Sequence, residues 1–205
     1  MGINDFIPSD DEQLNKLLLF TAEIDKMTAV LRRTVLIDKS RRENDAEHSW
    51  HIAVMAMIFK DYFTGTPDLG RAVMMCVVHD LVEIYAGDTF AFDKEGNLDK
   101  AEREKEAADK LFSLLPTEQG SMLRAYWEEF DEMETDDAKY AACMDRIQPL
   151  LHNTLTDGHT WVLGKATRED IEKREEVVKQ NMPKVYEWIE KNIENGIQKG
   201  WIKNC

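Results

Sequence analysis

The chain is short of the residues that staple, kink or anchor a polypeptide. Its three cysteines, Cys76, Cys143 and Cys205, form no paired or C-x-x-C pattern, which argues against a disulfide framework and points to a reducing compartment. Five prolines and ten glycines leave little room for Pro/Gly-rich disorder. No apolar run approaches the roughly 20 residues of a membrane span. The first residues, Met1 to Asp5, carry neither a basic segment nor a long apolar run, so no secretory signal is expected. Basic charge is scarce: 26 Lys and Arg stand against 40 Asp and Glu, for a net charge of −14. Such a field opposes a long nucleic-acid backbone. It leaves a mononucleotide open, because a small anion responds to its local pocket. The expectation is a soluble cytoplasmic protein with no nucleic-acid polymer and no membrane as partner.

Strand-like alternation is missing too; the periodicity is helical throughout. The pattern predicts an all-α fold. A first helix is expected from Asp10 to Leu31, capped by Ser9 with Glu12 as its capping-box partner. Asn44 and Glu47 repeat the box before a helix ending near Phe63. Asp68 caps a helix that stops at Gly87, where glycine suits the exit. Lys100 to Leu115 and Thr117 to Phe130 follow as amphipathic helices. Thr135 caps the next helix, which Pro149 is expected to kink or shorten. Thr167 and Asp170 open a last one through Trp188 and Ile193. Trp127, Trp161 and Trp188 read as exposed and suggest a homodimer.

Against this apolar background stand a few misplaced polar residues. His79-Asp80 interrupts Ala72-Val73-Met74-Met75-Cys76-Val77-Val78, His48 precedes Ile52 to Met57, and Asp145 follows Tyr140 to Met144. An unpartnered buried carboxylate costs several kcal/mol, on the order set by desolvation. One metal ion reached by His48, His79, Asp80 and Asp145 accounts for all four. Imidazole and carboxylate suit Co, Mn, Fe, Ni or Zn, with Mg possible, and the lack of cysteine argues against a structural zinc site. Each residue alone has a plainer reading: a packed histidine, a hydrogen-bonded His-Asp pair, an Asp145–Arg146 salt bridge.

Glu47-His48, Val78-His79-Asp80-Leu81-Val82-Glu83, Ala86-Gly87-Asp88 and Met144-Asp145-Arg146 together resemble the HD-domain phosphohydrolase superfamily. The chain is similar to its branch of bacterial 5′-deoxynucleotidases and eukaryotic HD-domain-containing relatives. The resemblance runs from about residue 17 to 155. It implies one HD-type domain over residues 1–205, with a metal-binding core in that span and a helical extension from about 156 to 205. It also implies one divalent ion and hydrolysis of nucleoside or deoxynucleoside 5′-monophosphates. Catalytic roles fall to Glu83 and Asp88, and phosphate binding to Arg33; a homodimer is implied as well. Glu83 lies one turn after His79, close enough to border a metal, or it pairs with a surface cation. Asp88 approaches the same mouth, or only forms the turn. Arg32 reads as a solvated neighbour, and both arginines would also complement a helix C-terminus. Thr34 replaces the branch's tryptophan, and Thr89-Phe90-Ala91-Phe92 replaces its Pro/Thr-rich loop; both bear on the sugar side. The alternatives are a cyclic or triphosphate nucleotide as substrate, or a metal-binding protein without activity. A di-iron oxygenase is disfavoured, because residues 81–144 contain no histidine.

Overall fold

The computed structural model describes residues 6–204. It is built almost wholly of helices: α1 (Glu12–Ile24), α2 (Asp45–Ile58), α3 (Leu69–Val78), α4 (Glu83–Ala86), α5 (Lys100–Phe112), α6 (Thr117–Glu132), α7 (Asp136–Leu155), α8 (His159–Leu163), α9 (Arg168–Arg174), α10 (Glu176–Asn181) and α11 (Pro183–Gln198). Two short antiparallel strands, β1 (Leu31–Val35) and β2 (Arg42–Asn44), precede α2.

Several expected boundaries hold for the expected reason. Asn44 and Glu47 form a reciprocal capping box at α2. Asp68 caps α3, Thr135 caps α7, and Thr167 with Asp170 boxes α9. Other boundaries need correction. Asp11, not Ser9, caps α1, because its carboxylate accepts from both Gln13 N and Leu14 N. The first helix stops at Ile24 and tightens into a 3-10 turn, Asp25–Ala29, before β1 begins. The strands were hidden because Arg32 and Thr34 point inward while Leu31 and Arg33 point out. Alternation carried by charged residues does not look amphipathic. Proline at position 183 starts a helix of its own, so the single C-terminal helix is three. Pro149 neither shortens nor interrupts α7, which runs to Leu155. The helix packs against α2, α3 and α10.

The central core joins Ile52 and Ala56 of α2, Met75 and Cys76 of α3, and Tyr140, Met144 and Ile147 of α7, with Ile189 and Ile193 of α11 beneath. Ala138, Ala141 and Ala142 are fully buried and let α7 approach its neighbours closely. A buried tyrosine hydroxyl needs a partner, and that of Tyr140 donates to the Ala56 carbonyl at 2.6 Å, at the open C-terminal turn of α2. A second cluster packs Val78 and Val82 against Leu111, Phe112 and Trp127. The tryptophans expected at the surface are therefore corrected: Trp127 and Trp161 are buried. Among the exposed apolar side chains, Trp50, Val54, Met57 and Ile58 recur at helical spacing on α2. No helix among the described residues is long and apolar enough to cross a membrane.

Candidate metal centre

Three elements deliver the misplaced polar residues to one point. His48 sits in the first turns of α2, behind the capping box. Asp145 stands mid-way along α7. His79 ends α3, and Asp80 lies in the turn before α4. One unbroken helix was expected there. Instead Leu81 N bonds Val78 O and Glu83 N bonds Asp80 O, the tighter i to i+3 pattern. Gly87 then closes α4 at φ +77, a conformation side chains disfavour, and hands the chain to Asp88.

All four side chains are buried. His48 Nε2 is 2.9 Å from Asp145 Oδ1 and 3.9 Å from Asp80 Oδ2. His79 Nε2 is 3.8 Å from Asp145 Oδ1. It is 3.1 Å from Asp80 Oδ1, yet off the line of a hydrogen bond, which leaves it a buried nitrogen without a hydrogen-bond partner. Burial opposes charge on Asp80, but His79 and Arg32 hold its carboxyl well below the usual range. Burial is likewise outweighed at Asp145, by Arg146 and by the two imidazoles. His48 is pushed down to about 4 by burial and by Arg32. At His79 burial is overcome by Asp80 and Asp145, which hold the imidazole up to about 10. The centre thus favours positive charge between its carboxylates, as a cation site should.

The outer ring nitrogens settle the direction of the inner ones. His79 Nδ1 donates to the Cys76 carbonyl at 3.0 Å. His48 Nδ1 meets Gln148 Oε1 at 3.1 Å. The Gln148 amide is oriented by Glu43, since its Nε2 donates to Glu43 Oε1 at 2.6 Å. The same nitrogen lies 3.1 Å from His152 Nε2, and His152 Nδ1 donates to the Val35 carbonyl at 3.0 Å. A chain of bonds from a strand carbonyl therefore places a proton on His48 Nδ1. Nε2 of His48 is left facing the centre with its lone pair, and Nε2 of His79 offers one once a cation replaces the proton that Asp80 and Asp145 hold there, the arrangement in which imidazoles bind metals. Nε2 of His48 then faces a carboxylate oxygen at 2.9 Å, two acceptors that a cation reconciles. The residues fit a divalent ion held by N and O ligands. Gln148→Leu should weaken metal affinity by roughly 10–100-fold, the usual cost of losing such an outer partner; calorimetric titration of the metal-stripped variant checks it.

Beyond the four, Glu83 and Asp88 come together with Asp45, which the sequence reading missed; one carboxylate oxygen of each lies within 4.8 Å of the others. Burial pushes Glu83 well above the usual carboxylate range, and Asp80 and Asp45 add to it. Burial also raises Asp88, offset in part by Arg32. Arg32 is not solvated. It is buried behind the centre, with Nη1 2.7 Å from Asp80 Oδ2 and 3.2 Å from Asp45 Oδ1. The pleat is the reason: it turns Arg32 inward and Arg33 outward. Arg33 still lines the cavity beside the centre, along with Asp80, Glu83, Asp88 and Asp145. Gln148, Glu43 and Asp45 carried no signal in the sequence beyond being polar near the motif. Asn153 lines the same cavity and is fixed in place by α8, since its Oδ1 accepts from Thr160 N and Trp161 N.

A mostly helical scaffold that gathers two imidazoles and two carboxylates from α2, the end of α3 and α7 defines a helical domain with a buried cluster suited to a metal. The chain belongs to the HD domain family, whose model matches residues 24–186. It is 32% identical over 111 residues to the human 5′-deoxynucleotidase HDDC2, and 29% identical over 109 residues to the mouse protein of that name. Those matches cover 54% and 53% of this chain. The chain spans about half the length of these curated relatives, 53% in each case. A crystal structure described as a predicted metal-dependent phosphohydrolase from Magnetospirillum magnetotacticum MS-1 superposes with a TM-score of 0.89 at 41% identity, over 97% of this chain and 100% of that one. A conserved hypothetical protein from Pyrococcus furiosus shares the fold, with a TM-score of 0.56 at 16% identity over 88% and 99% of the two chains.

Proposed function

We propose that this protein is a metal-dependent phosphohydrolase that releases phosphate from a nucleoside or deoxynucleoside 5′-monophosphate. The observation that carries the reading is the convergence of His48, His79, Asp80 and Asp145, with both Nε2 atoms aimed inward. Those four would hold one divalent ion. Such an ion supplies Lewis acidity at a phosphoryl oxygen and lowers the pKa of a water. Glu83 borders the centre with its carboxyl raised well above the ordinary range by burial and by Asp80 and Asp45, and it gives a proton to the leaving nucleoside oxygen. Asp88, at the mouth of the same cavity, exchanges protons with solvent. Arg33, exposed on β1, draws the anion toward that mouth.

The names of the HDDC2 relatives and of the Magnetospirillum protein support the same reading. A homodimer and a cytoplasmic location remain part of it. The apolar stripe on α2, rather than the tryptophans, is the face offered to the second copy. The test is phosphate release from a panel of ribo- and deoxyribonucleoside 5′-monophosphates, cyclic nucleotides and triphosphates, with Co, Mn or Mg added. Release from monophosphates with one metal per chain is the expected outcome. No release from any of them with any metal would refute the assignment.

A further inference from the structure

The cavity beside the centre holds about 160 Å³ and is lined by four arginines, which differ sharply in how their charge is used. Arg32 is committed: Asp80, Asp45 and Glu43 oxygens lie 2.7, 3.2 and 3.7 Å from its nitrogens. Arg33 is exposed. Arg146 and Arg174 are set deeper, and both turn to the same carboxylate oxygen. Arg146 is bonded to Asp145 Oδ2, while Arg174 Nη2 stands 4.0 Å from it. Among the described residues no other acid lies within 4.0 Å of either guanidinium. Two cations therefore share one oxygen of a carboxylate whose other oxygen faces the imidazoles.

Glu175, at the end of α9, adds an independent sign. It is 2% exposed, lines the same cavity, and has a buried Oε2 with no hydrogen-bond partner. Such an oxygen is costly to bury unless something completes it. Burial pushes the carboxyl up to about 8 against the pull of Arg174 and Arg146. A carboxyl raised in this way repels an anion less than an ordinary carboxylate does, and its protonated form donates to one.

We propose that Arg146, Arg174 and Glu175 form the principal anion subsite of this cavity, which grips the terminal phosphate of the substrate. This rests on the phosphohydrolase reading and narrows it. Each guanidinium presents a fork of N–H donors matched to paired phosphate oxygens. With one carboxylate oxygen shared between them, the two guanidinium groups keep a net positive charge and free N–H donors for a phosphomonoester. A cyclic phosphodiester carries less negative charge and fewer terminal oxygens for the two forks than a monoester, so the subsite favours monoesters.

The test is titration of the metal-loaded protein with inorganic phosphate, followed by calorimetry. Arg174→Gln should raise the phosphate Kd by about 10–100-fold, as for loss of a charged hydrogen bond. Arg174→Lys should recover part of that loss, and Arg33→Gln should cost less than Arg174→Gln. Metal content should be unchanged in R174Q. Absence of phosphate binding by the parent protein, equal binding by R174Q, or a larger loss in R33Q would overturn the proposal. So would loss of metal or of the folded circular-dichroism signal in R174Q that R174K does not restore. The readout is binding, so a protein that grips phosphate but hydrolyses no ester would refute the phosphohydrolase reading and leave the subsite standing.

Discussion

Asp145→Asn should lower phosphate release by about 10³-fold or more, since a metal site contributes several kcal/mol to phosphoryl chemistry. Asp145 is where the centre and its cationic surround meet. Its Oδ1 faces both Nε2 atoms, and its Oδ2 faces Arg146 and Arg174. The substitution keeps the shape and removes the charge. Metal content measured by mass spectrometry should fall well below one per chain, and added metal should no longer raise the melting temperature. The variant also leaves buried cations less compensated, which is destabilising in itself, so its circular dichroism and melting curve must be recorded beside the parent's. A folded D145N that holds a full equivalent of metal and turns over normally would remove Asp145 from the ligand set.

Glu83→Gln should leave metal content intact and reduce kcat by roughly 10²–10⁴-fold, the usual range for a proton-transfer group. Glu83 is buried in α4 with its carboxyl pushed up by burial, Asp80 and Asp45. A raised acid keeps its proton to higher pH than an ordinary carboxyl and loses it as pH rises through the shifted value. If it protonates the leaving oxygen, the rate of the parent protein falls over that same rise. Glutamine fills the space but cannot give up a proton, so the basic limb of the profile should vanish in E83Q. A basic limb that persists at the same pH in E83Q would assign it to another group, with Asp88 next in line.

The helical class and the four ligand candidates were readable because each rests on a local rule. Asn44 with Glu47, Asp68, and Thr167 with Asp170 cap their helices through contacts within one turn. His48, His79, Asp80 and Asp145 stood out because polar groups in apolar helices need a reason. The misses share the opposite character. Arg32 was assigned to solvent although it is buried against Asp80 and Asp45, since no periodicity announced that residues 31–35 are a strand that points alternate side chains inward. The break after Val78 was invisible because Leu81 and Val82 continue an apolar helical pattern.

What the sequence by itself determined is the helical class, most helix starts and the inventory of metal-type side chains, because helix caps and apolar periodicity act over a few residues. What only the tertiary structure decided is which way those groups face and what completes them. Gln148 orients His48 from 100 positions away, and Asp80 meets Arg32 across 48. Such contacts exist only once helices and strands have packed, so no local pattern encodes them.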